Sequence, residues 1–128
     1  MTADPNLPSE LAELVDVNPV AIVVMDDDER VTRWNPAAAE LFGYLPEEAI
    51  GQLIDDLVLN EVLRDEGRDV THEARERGRA DRITRRVRKD GKLVDVQMML
   101  VPLDVDGRRA TTALADAITQ CDRCPRLR

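Results

Sequence analysis

The stretch RVTRWNPAAAELFGYLPEEAIG, residues 30–51, holds all three aromatic residues of this 128-residue chain and the starts of two helices. Asn35 fits the cap before a helix, and Pro36 fits the first helical position, where its missing N–H costs no hydrogen bond. Gly43 is a natural end for that helix. The segment 46–51 repeats the pattern, with Pro first, two acidic residues next and Gly last. The stretch therefore predicts two short helices in succession.

The sequence before these helices predicts an antiparallel hairpin. VAIVVMD, residues 20–26, is an apolar, β-branched run typical of a buried strand, and RVTRWN, residues 30–35, returns as the second strand. Because the intervening DDDER lacks a glycine, we expect Asp side chains to hold the turn. Further upstream, NLPSELAELV, residues 6–15, predicts a short amphipathic helix capped by Ser9. Its apolar stripe consists of Leu11, Leu14 and Val15.

The sequence after residue 51 first keeps a helical period and then changes to that of strands. Residues 55–78 are helical but polar, and we expect Gly67 and Gly78 to interrupt them. Their apolar patch consists of Leu57, Leu59, Val62 and Leu63. Three antiparallel strands are then predicted at 80–88, 93–103 and 108–119, with turns at Asp90-Gly91 and Asp106-Gly107. This order predicts an α+β fold with a five-stranded antiparallel sheet and helices packed on one face.

Five blocks in this chain resemble those of PAS domains, a family of sensory modules in signalling proteins. They are NPVAIVVMDDDERVTRWNPAAAELFGY, PEEAIG, RVRKDGK, PLDVDGRR and ADAIT, in the family's order. The resemblance covers about Leu11 to Thr119. It implies the PAS fold, with the first and last strands as neighbours in the sheet. It divides the chain into a cap helix and lead-in (1–16), the PAS domain (17–119) and a tail or start of a linker to an output domain (120–128).

The resemblance also implies a function. The chain is expected to be a non-catalytic sensory or regulatory domain that passes a ligand- or partner-induced change through the packing of a homodimer. The alternative is a ligand-free module for dimerisation or protein interaction. The N-terminal helix is expected to dock either on its own sheet or across the dimer, and in the second case Leu11, Leu14 and Val15 are the interface candidates. An output domain is implied, such as a histidine kinase, a nucleotide cyclase, a phosphatase or a transcription regulator.

Composition argues against several other classes of function. With 26 acidic and 18 basic residues the net charge is −8, which disfavours binding to nucleic acid or to an anionic membrane. No apolar run approaches the roughly 20 residues of a membrane span, and the N-terminus lacks a secretion signal, so we expect a cytoplasmic protein. No nucleophile accompanies the single histidine. Cys121 and Cys124 could be half of a zinc site or a redox pair, and an idle tail is the favoured interpretation.

We predict no cofactor. Flavin photochemistry of the light-oxygen-voltage type needs a cysteine just after the PEEAIG block, and the first cysteine of this chain is Cys121. Haem needs an axial ligand, for which His72 is the sole histidine. Because Glu73, Arg75 and Glu76 surround it in sequence, a solvent-exposed helical His72 is the favoured interpretation.

The basic strand 80–88 leaves two orientations open. Its apolar residues favour placing Ile83 and Val87 inward, whereas resemblance to the haem-binding oxygen sensors of the family places the Arg82 and Arg86 face inward. In the second case either arginine could hold a carboxylate or phosphate bidentately. An exposed basic strand paired with acidic side chains is the favoured interpretation. On the next strand the expected cavity-facing set is Val94, Val96, Met98 and Leu100. The candidate cavity residues are Trp34, Arg82, Arg86, Val96 and Met98.

Overall fold

The architecture is that of a computed structural model, which describes residues 19–105 and 107–118. Within these residues the strands are β1 (Ala21–Asp26), β2 (Val31–Trp34), β3 (Ala80–Val87), β4 (Leu93–Val105) and β5 (Arg108–Ala117). The helices are α1 (Pro36–Phe42), α2 (Pro46–Ala49), α3 (Ile54–Val58) and α4 (Arg64–Arg77), all between β2 and β3. Parts of the sequence prediction lie outside the described residues, namely the N-terminal helix with Leu11, Leu14 and Val15, and the tail with Cys121 and Cys124.

The strands form one antiparallel sheet in the order β2–β1–β5–β4–β3. The first and last strands, β1 and β5, are paired from Ala21 opposite Ala115 to Asp26 opposite Ala110. The long β4 pairs with β5 on one side and with β3 on the other. The predicted five-stranded antiparallel sheet is therefore confirmed, and its middle is made from the two ends of the described chain.

The turn between β1 and β2 is held by one aspartate, as its sequence predicts. The Oδ1 atom of Asp26 accepts hydrogen bonds from the backbone N–H groups of Asp28 (2.9 Å) and Arg30 (3.0 Å). Glu29 takes the left-handed conformation that a glycine would otherwise supply, with φ of 65°. The hydrogen bonds of the Asp26 side chain thus hold the turn without a glycine.

The helix α1 is attached to the sheet through its cap. Asn35 is fully buried, and its Oδ1 atom accepts from the N–H of Ala38 in α1 and from the N–H of Ile22 in β1, both at 2.9 Å. Its Nδ2 atom donates to the carbonyl of Val20 at 3.0 Å. Gly43 ends the helix with φ of 89°. The predicted cap and stop are confirmed, and the cap also fixes α1 to β1.

The region between α2 and β3 corrects two expectations. Val62 is 85% exposed, whereas Leu57 and Leu59 are buried, so the predicted apolar patch does not include Val62. Gly67 lies inside α4 and does not interrupt it. A Cβ atom on Gly67 would stand 2.6 Å from Cδ1 of Leu59, so the glycine allows this leucine to pack against the helix. Gly78 ends α4 in the left-handed conformation, as predicted.

In the structure, the face of β3 that carries Arg82 and Arg86 is turned towards the helices. Ile83 is 55% exposed, whereas Arg86 is 4% exposed and faces the helices. The cross-strand partner of Arg82 is Met98, a core residue of β4. Placing Ile83 inward was therefore wrong. The physical reason is long-range, because α4 presents carboxylates to this edge of the sheet and paired charges can be buried there.

The hydrophobic core lies between the inner face of the sheet and the helices. Trp34 and Phe42 are its largest side chains, with ring centroids 5.6 Å apart. Alternate residues of β1 and β4 complete it from the sheet side, namely Ala21, Val23, Met25, Val96, Met98 and Leu100. No helix in the described part of the chain has the length and apolar character of a membrane span.

Candidate functional site

A partly open cavity of about 60 Å³ lies between the middle of the sheet and the helices. Its walls come from β1, β3, β4 and β5 on one side and from α1, α3 and α4 on the other. Most of the lining is apolar: Val23, Met25, Phe42, Ile54, Val58, Leu59, Gly67, Val70, Val96, Met98, Leu100, Ala113 and Ala115. The polar or charged lining residues are Asp55, Thr71 and Arg86. The cavity is thus an apolar space with a few charged or polar groups on its wall.

Arg86 brings a buried positive charge to that wall. Its side chain is 5% exposed, and its Nη1 atom donates to Oε1 of Glu66 at 2.7 Å and to the carbonyl of Arg85 at 2.7 Å. Glu66 lies in the first turn of α4 and its side chain is 30% exposed. Its second oxygen, Oε2, is buried and has no hydrogen-bond partner within the described residues. The ion pair therefore leaves hydrogen-bonding capacity unused on both partners.

A second ion pair joins the same two elements outside the cavity. The Nη2 atom of Arg82 donates to Oε1 of Glu73 at 2.6 Å, and each side chain is 31% exposed. This hydrogen bond to the Glu73 carboxylate is the main reason why the pKa of Arg82 rises above its ordinary value. The two pairs tie α4 to the edge strand β3 at two levels.

The candidate cavity residues divide into two groups in the structure. Arg86, Val96 and Met98 lie on the cavity wall. Arg82 and Trp34 are not among its lining residues. Trp34 is 3% exposed, and its Nε1 donates to the carbonyl of Tyr44 at 2.9 Å, which gives it a packing role between β2 and the α1–α2 segment.

Two important residues of the site were not foreseen from the sequence. Glu66 was grouped with a polar helix, and Gly67 was expected to interrupt that helix. Their roles depend on Arg86 and Leu59, which are 20 and eight positions away. A carboxylate and a glycine side by side on the helix before a basic strand were the only sequence signal available.

His72 lies on the outer side of α4. Its side chain is 73% exposed, and Nε2 stands 3.4 Å from Oε2 of Glu76. It is not among the residues that line the cavity. Among the described residues, moreover, no group of three or more His, Cys, Asp and Glu side chains is arranged to hold a metal ion.

The hairpin between β3 and β4 fastens the end of α1, whose last residue Phe42 lines the cavity. Arg88 donates to the carbonyls of Glu40 and Leu41, and the N–H of Lys89 donates to the carbonyl of Phe42 at 2.8 Å. These bonds satisfy carbonyls that the helix end would otherwise leave free. The hairpin thus holds one wall of the cavity in place.

The same lysine reaches the next helix. Lys89 Nζ contacts Oε2 of Glu48 at 2.5 Å, and it stands 5.9 Å from the centre of the Tyr44 ring. The other oxygen of Glu48 accepts from the N–H of Leu45, which caps α2 without a Ser or Thr. The hydrogen bond from Lys89, followed by that from Leu45, lowers the pKa of Glu48 below its ordinary value.

Comparisons with known proteins agree with this architecture. Residues 9–115 match the family model described as the PAS fold. Among solved structures, the chain is similar to the PAS domain of a protein from Colwellia psychrerythraea, with 26% identity, 86% of this chain and 95% of that chain covered, and a TM-score of 0.78. A search of curated proteins finds no match.

Two further solved structures share the fold. One is a PAS domain from a two-component sensor histidine kinase, with 21% identity, 87% of this chain and 100% of that chain covered, and a TM-score of 0.71. The other is the PAS domain of an HTR-like protein from Haloarcula marismortui, with 23% identity, 86% and 90% covered, and a TM-score of 0.70. The predicted fold is therefore confirmed.

Proposed function

The chain belongs to the PAS family, and from that membership we propose that it is the non-catalytic sensory or regulatory domain of a cytoplasmic signalling protein. In this proposal a ligand or a partner changes the packing around the cavity, and the change reaches an output domain through a homodimer. The output domain would be a histidine kinase, nucleotide cyclase, phosphatase or transcription regulator, on this polypeptide or another. The PAS domain of a sensor histidine kinase with the same fold supports this choice.

The observation that carries the proposal is the position of the cavity against the last strand. Ala113 and Ala115 of β5 line it, and β5 leads directly to the C-terminal residues 119–128. Its opposite wall includes Gly67 and Val70 of α4. An occupant that favours one packing of α4 against the sheet would shift the population of that packing, with β5 as the path towards the C-terminus.

The outer face of the sheet supports the homodimer. Ile22, Leu114 and Met99 form one cross-strand row on that face, and Val24, Thr112 and Val101 form the next. Ile22 and Val24 are buried within the chain, whereas Met99, Val101 and Leu114 are half-buried. In this proposal the half-buried apolar residues provide the contact with the second copy.

The small volume of the cavity favours the second candidate, a ligand-free dimerisation or interaction module. About 60 Å³ is far below the roughly 300–1,000 Å³ of typical small-molecule pockets. In this alternative the side chains fill the cavity, and only the partner on the outer face of the sheet changes the domain.

Native mass spectrometry of the purified protein, with an absorbance spectrum, separates the two candidates. A dimer that carries added mass, or that changes its dissociation constant when a small molecule is added, supports the sensory domain. A dimer that does neither supports the ligand-free module. Visible absorbance bands of haem or flavin would contradict the predicted lack of a cofactor.

The dimer itself is tested by Leu114→Glu, with Ile83→Glu as the matched control. Ile83 is on the same face of the sheet but at its edge strand and 55% exposed, whereas Leu114 is on the central strand β5. We expect Leu114→Glu to produce monomers in size-exclusion chromatography with light scattering and Ile83→Glu to leave the dimer intact. A monomeric wild-type protein would contradict the homodimer in both candidates and would leave only an interaction module with another protein.

A further inference from the structure

Arg86, on the wall of an apolar cavity, has hydrogen-bond donors that no described residue uses. Its side chain is 95% buried, and both described hydrogen bonds leave from Nη1. The Nε–H and the Nη2–H groups, which form the edge that binds a carboxylate bidentately, make no hydrogen bond within the described residues. Of the described residues that line the cavity, Arg86 is also the only cation. The wall therefore presents a site for an anionic group.

The present partner of Arg86 holds it by a single contact. One oxygen of Glu66 accepts from Nη1, while its buried Oε2 has no partner among the described residues. A buried carboxylate oxygen without a donor is destabilising. Because the side chain is 30% exposed, Glu66 can turn to water and regain hydration when another carboxylate takes its place. Exchange of one carboxylate for another also keeps the charge around Arg86 balanced.

The size and lining of the cavity restrict the occupant. At about 60 Å³ the cavity is small, and it restricts an occupant to a few non-hydrogen atoms. One charged end next to Val70, Val96 and Met98 suits a single anionic head with a short apolar tail. Asp55 and Thr71 also line the cavity, and the hydroxyl of Thr71 already donates to the carbonyl of Gly67 at 3.0 Å. A phosphate or a dicarboxylate would place further charged oxygens against the apolar side chains or near the Asp55 carboxylate, which is costly.

We infer that the cavity binds a short aliphatic monocarboxylate, of the size of propionate or butyrate, whose carboxylate replaces Glu66 on Arg86. This inference rests on the proposed sensory function and gives it a ligand class. Release of Glu66 would remove one of the two ion pairs that tie α4 to β3, and the pair Arg82–Glu73 would remain. Exchange at Arg86 thus links occupancy of the cavity to the attachment of α4.

The test is a titration of the purified protein with sodium butyrate, and with butyramide as the uncharged analogue of the same size, at constant ionic strength. Amide chemical shifts of Gly67, Val70 and Val96 report binding at the cavity. We expect saturable shifts with butyrate and at least about tenfold weaker binding of butyramide. Glu66→Gln removes the competing carboxylate, and we expect it to bind butyrate at least about tenfold more tightly than the wild type.

Arg86→Met should abolish butyrate binding, and Arg82→Met is its matched control. Both variants lose one ion pair between β3 and α4, but only Arg86 lines the cavity, so Arg82→Met should keep the wild-type affinity. If Arg86→Met does not fold, Glu66→Gln still decides, since unchanged or weaker binding in that variant overturns the exchange at Arg86.

The remaining outcomes separate this inference from the proposed function. Equal binding of butyramide and butyrate overturns the carboxylate class, while a ligand-binding sensory domain stands. Binding of neither compound to the wild type or to Glu66→Gln overturns the inference alone, because the response of the dimer to other molecules or partners is measured separately.

Discussion

Replacing Asn35 with alanine should destabilise this domain far more than its role as a helix cap would suggest. The side chain makes three described hydrogen bonds, to the N–H of Ala38, the N–H of Ile22 and the carbonyl of Val20. Loss of an N-cap costs about 1 kcal/mol. The N–H of Ile22 lies in the buried strand β1, where a donor without a partner costs about 1–3 kcal/mol. The free energy of unfolding should therefore fall by roughly 2–4 kcal/mol.

Asn60→Ala provides a matched control. Its Oδ1 accepts from the N–H of Leu63 at 2.9 Å, with the same length and spacing as the bond that Asn35 Oδ1 accepts from Ala38, but Asn60 is exposed. Water can replace this bond, so we expect a loss of only about 0.5–1 kcal/mol.

Urea unfolding at equilibrium, followed by fluorescence, measures both variants. With a slope of about 1–3 kcal/mol/M for small domains, the midpoint of Asn35→Ala should lie roughly 1 M below that of Asn60→Ala, with an unchanged slope. Equal midpoints for the two variants would refute the reasoning, because burial of the Ile22 amide would then contribute nothing.

Three other predictions follow from the same contacts. Gly43→Ala should destabilise more than Gly51→Ala in thermal unfolding: both residues have left-handed φ (89° and 92°), which costs about 1–2 kcal/mol, but only at Gly43 would the new Cβ meet Lys89, at 3.3 Å. Equal losses of stability in the two variants would show that Lys89 moves away from the new Cβ atom without cost. The lowered pKa of Glu48 stabilises the fold above its ordinary 4.5, and this contribution is lost as pH falls through the folded-state pKa. Glu48→Gln should therefore be less stable than the wild type at neutral pH, with a gap that closes in acid, and a gap independent of pH would contradict the assignment. Trp34, the only tryptophan and 3% exposed, should emit at short wavelength and resist quenching by acrylamide until the domain unfolds, whereas ready quenching in the folded state would contradict its burial.

Much of the fold could be predicted because the responsible signals are local. Asn35, Pro36 and Gly43 act on backbone groups within a few residues, and Asp26 holds a turn that spans only four. The continuous apolar run of β1 and the alternation of side chains along β4 likewise need no knowledge of distant partners. The identity of the family followed from several such signals in order, and the match of residues 9–115 to the family model confirms it.

The candidate site was less predictable, since its residues gain their roles from partners far along the chain. Val96 and Met98 were expected at the cavity because an apolar strand next to a core has few alternatives. Arg86 was expected at the cavity in only one of the two orientations that the sequence left open for β3. Glu66 was not foreseen, because a glutamate in a polar helix is ordinarily a solvated residue.

By itself, therefore, the sequence determined the elements, the caps, the turns and the family of this protein, since each depends on short-range backbone chemistry and side-chain period. Only the tertiary structure decided which face of β3 is buried, why Gly67 lies inside a helix and where the cavity has its charge. Those features depend on α4 packing over the edge of the sheet. There Glu66 pairs with the buried Arg86 and Glu73 with the half-buried Arg82, while Ile83 is left in water. The sequence of a strand does not show which helix will pack against it in the fold.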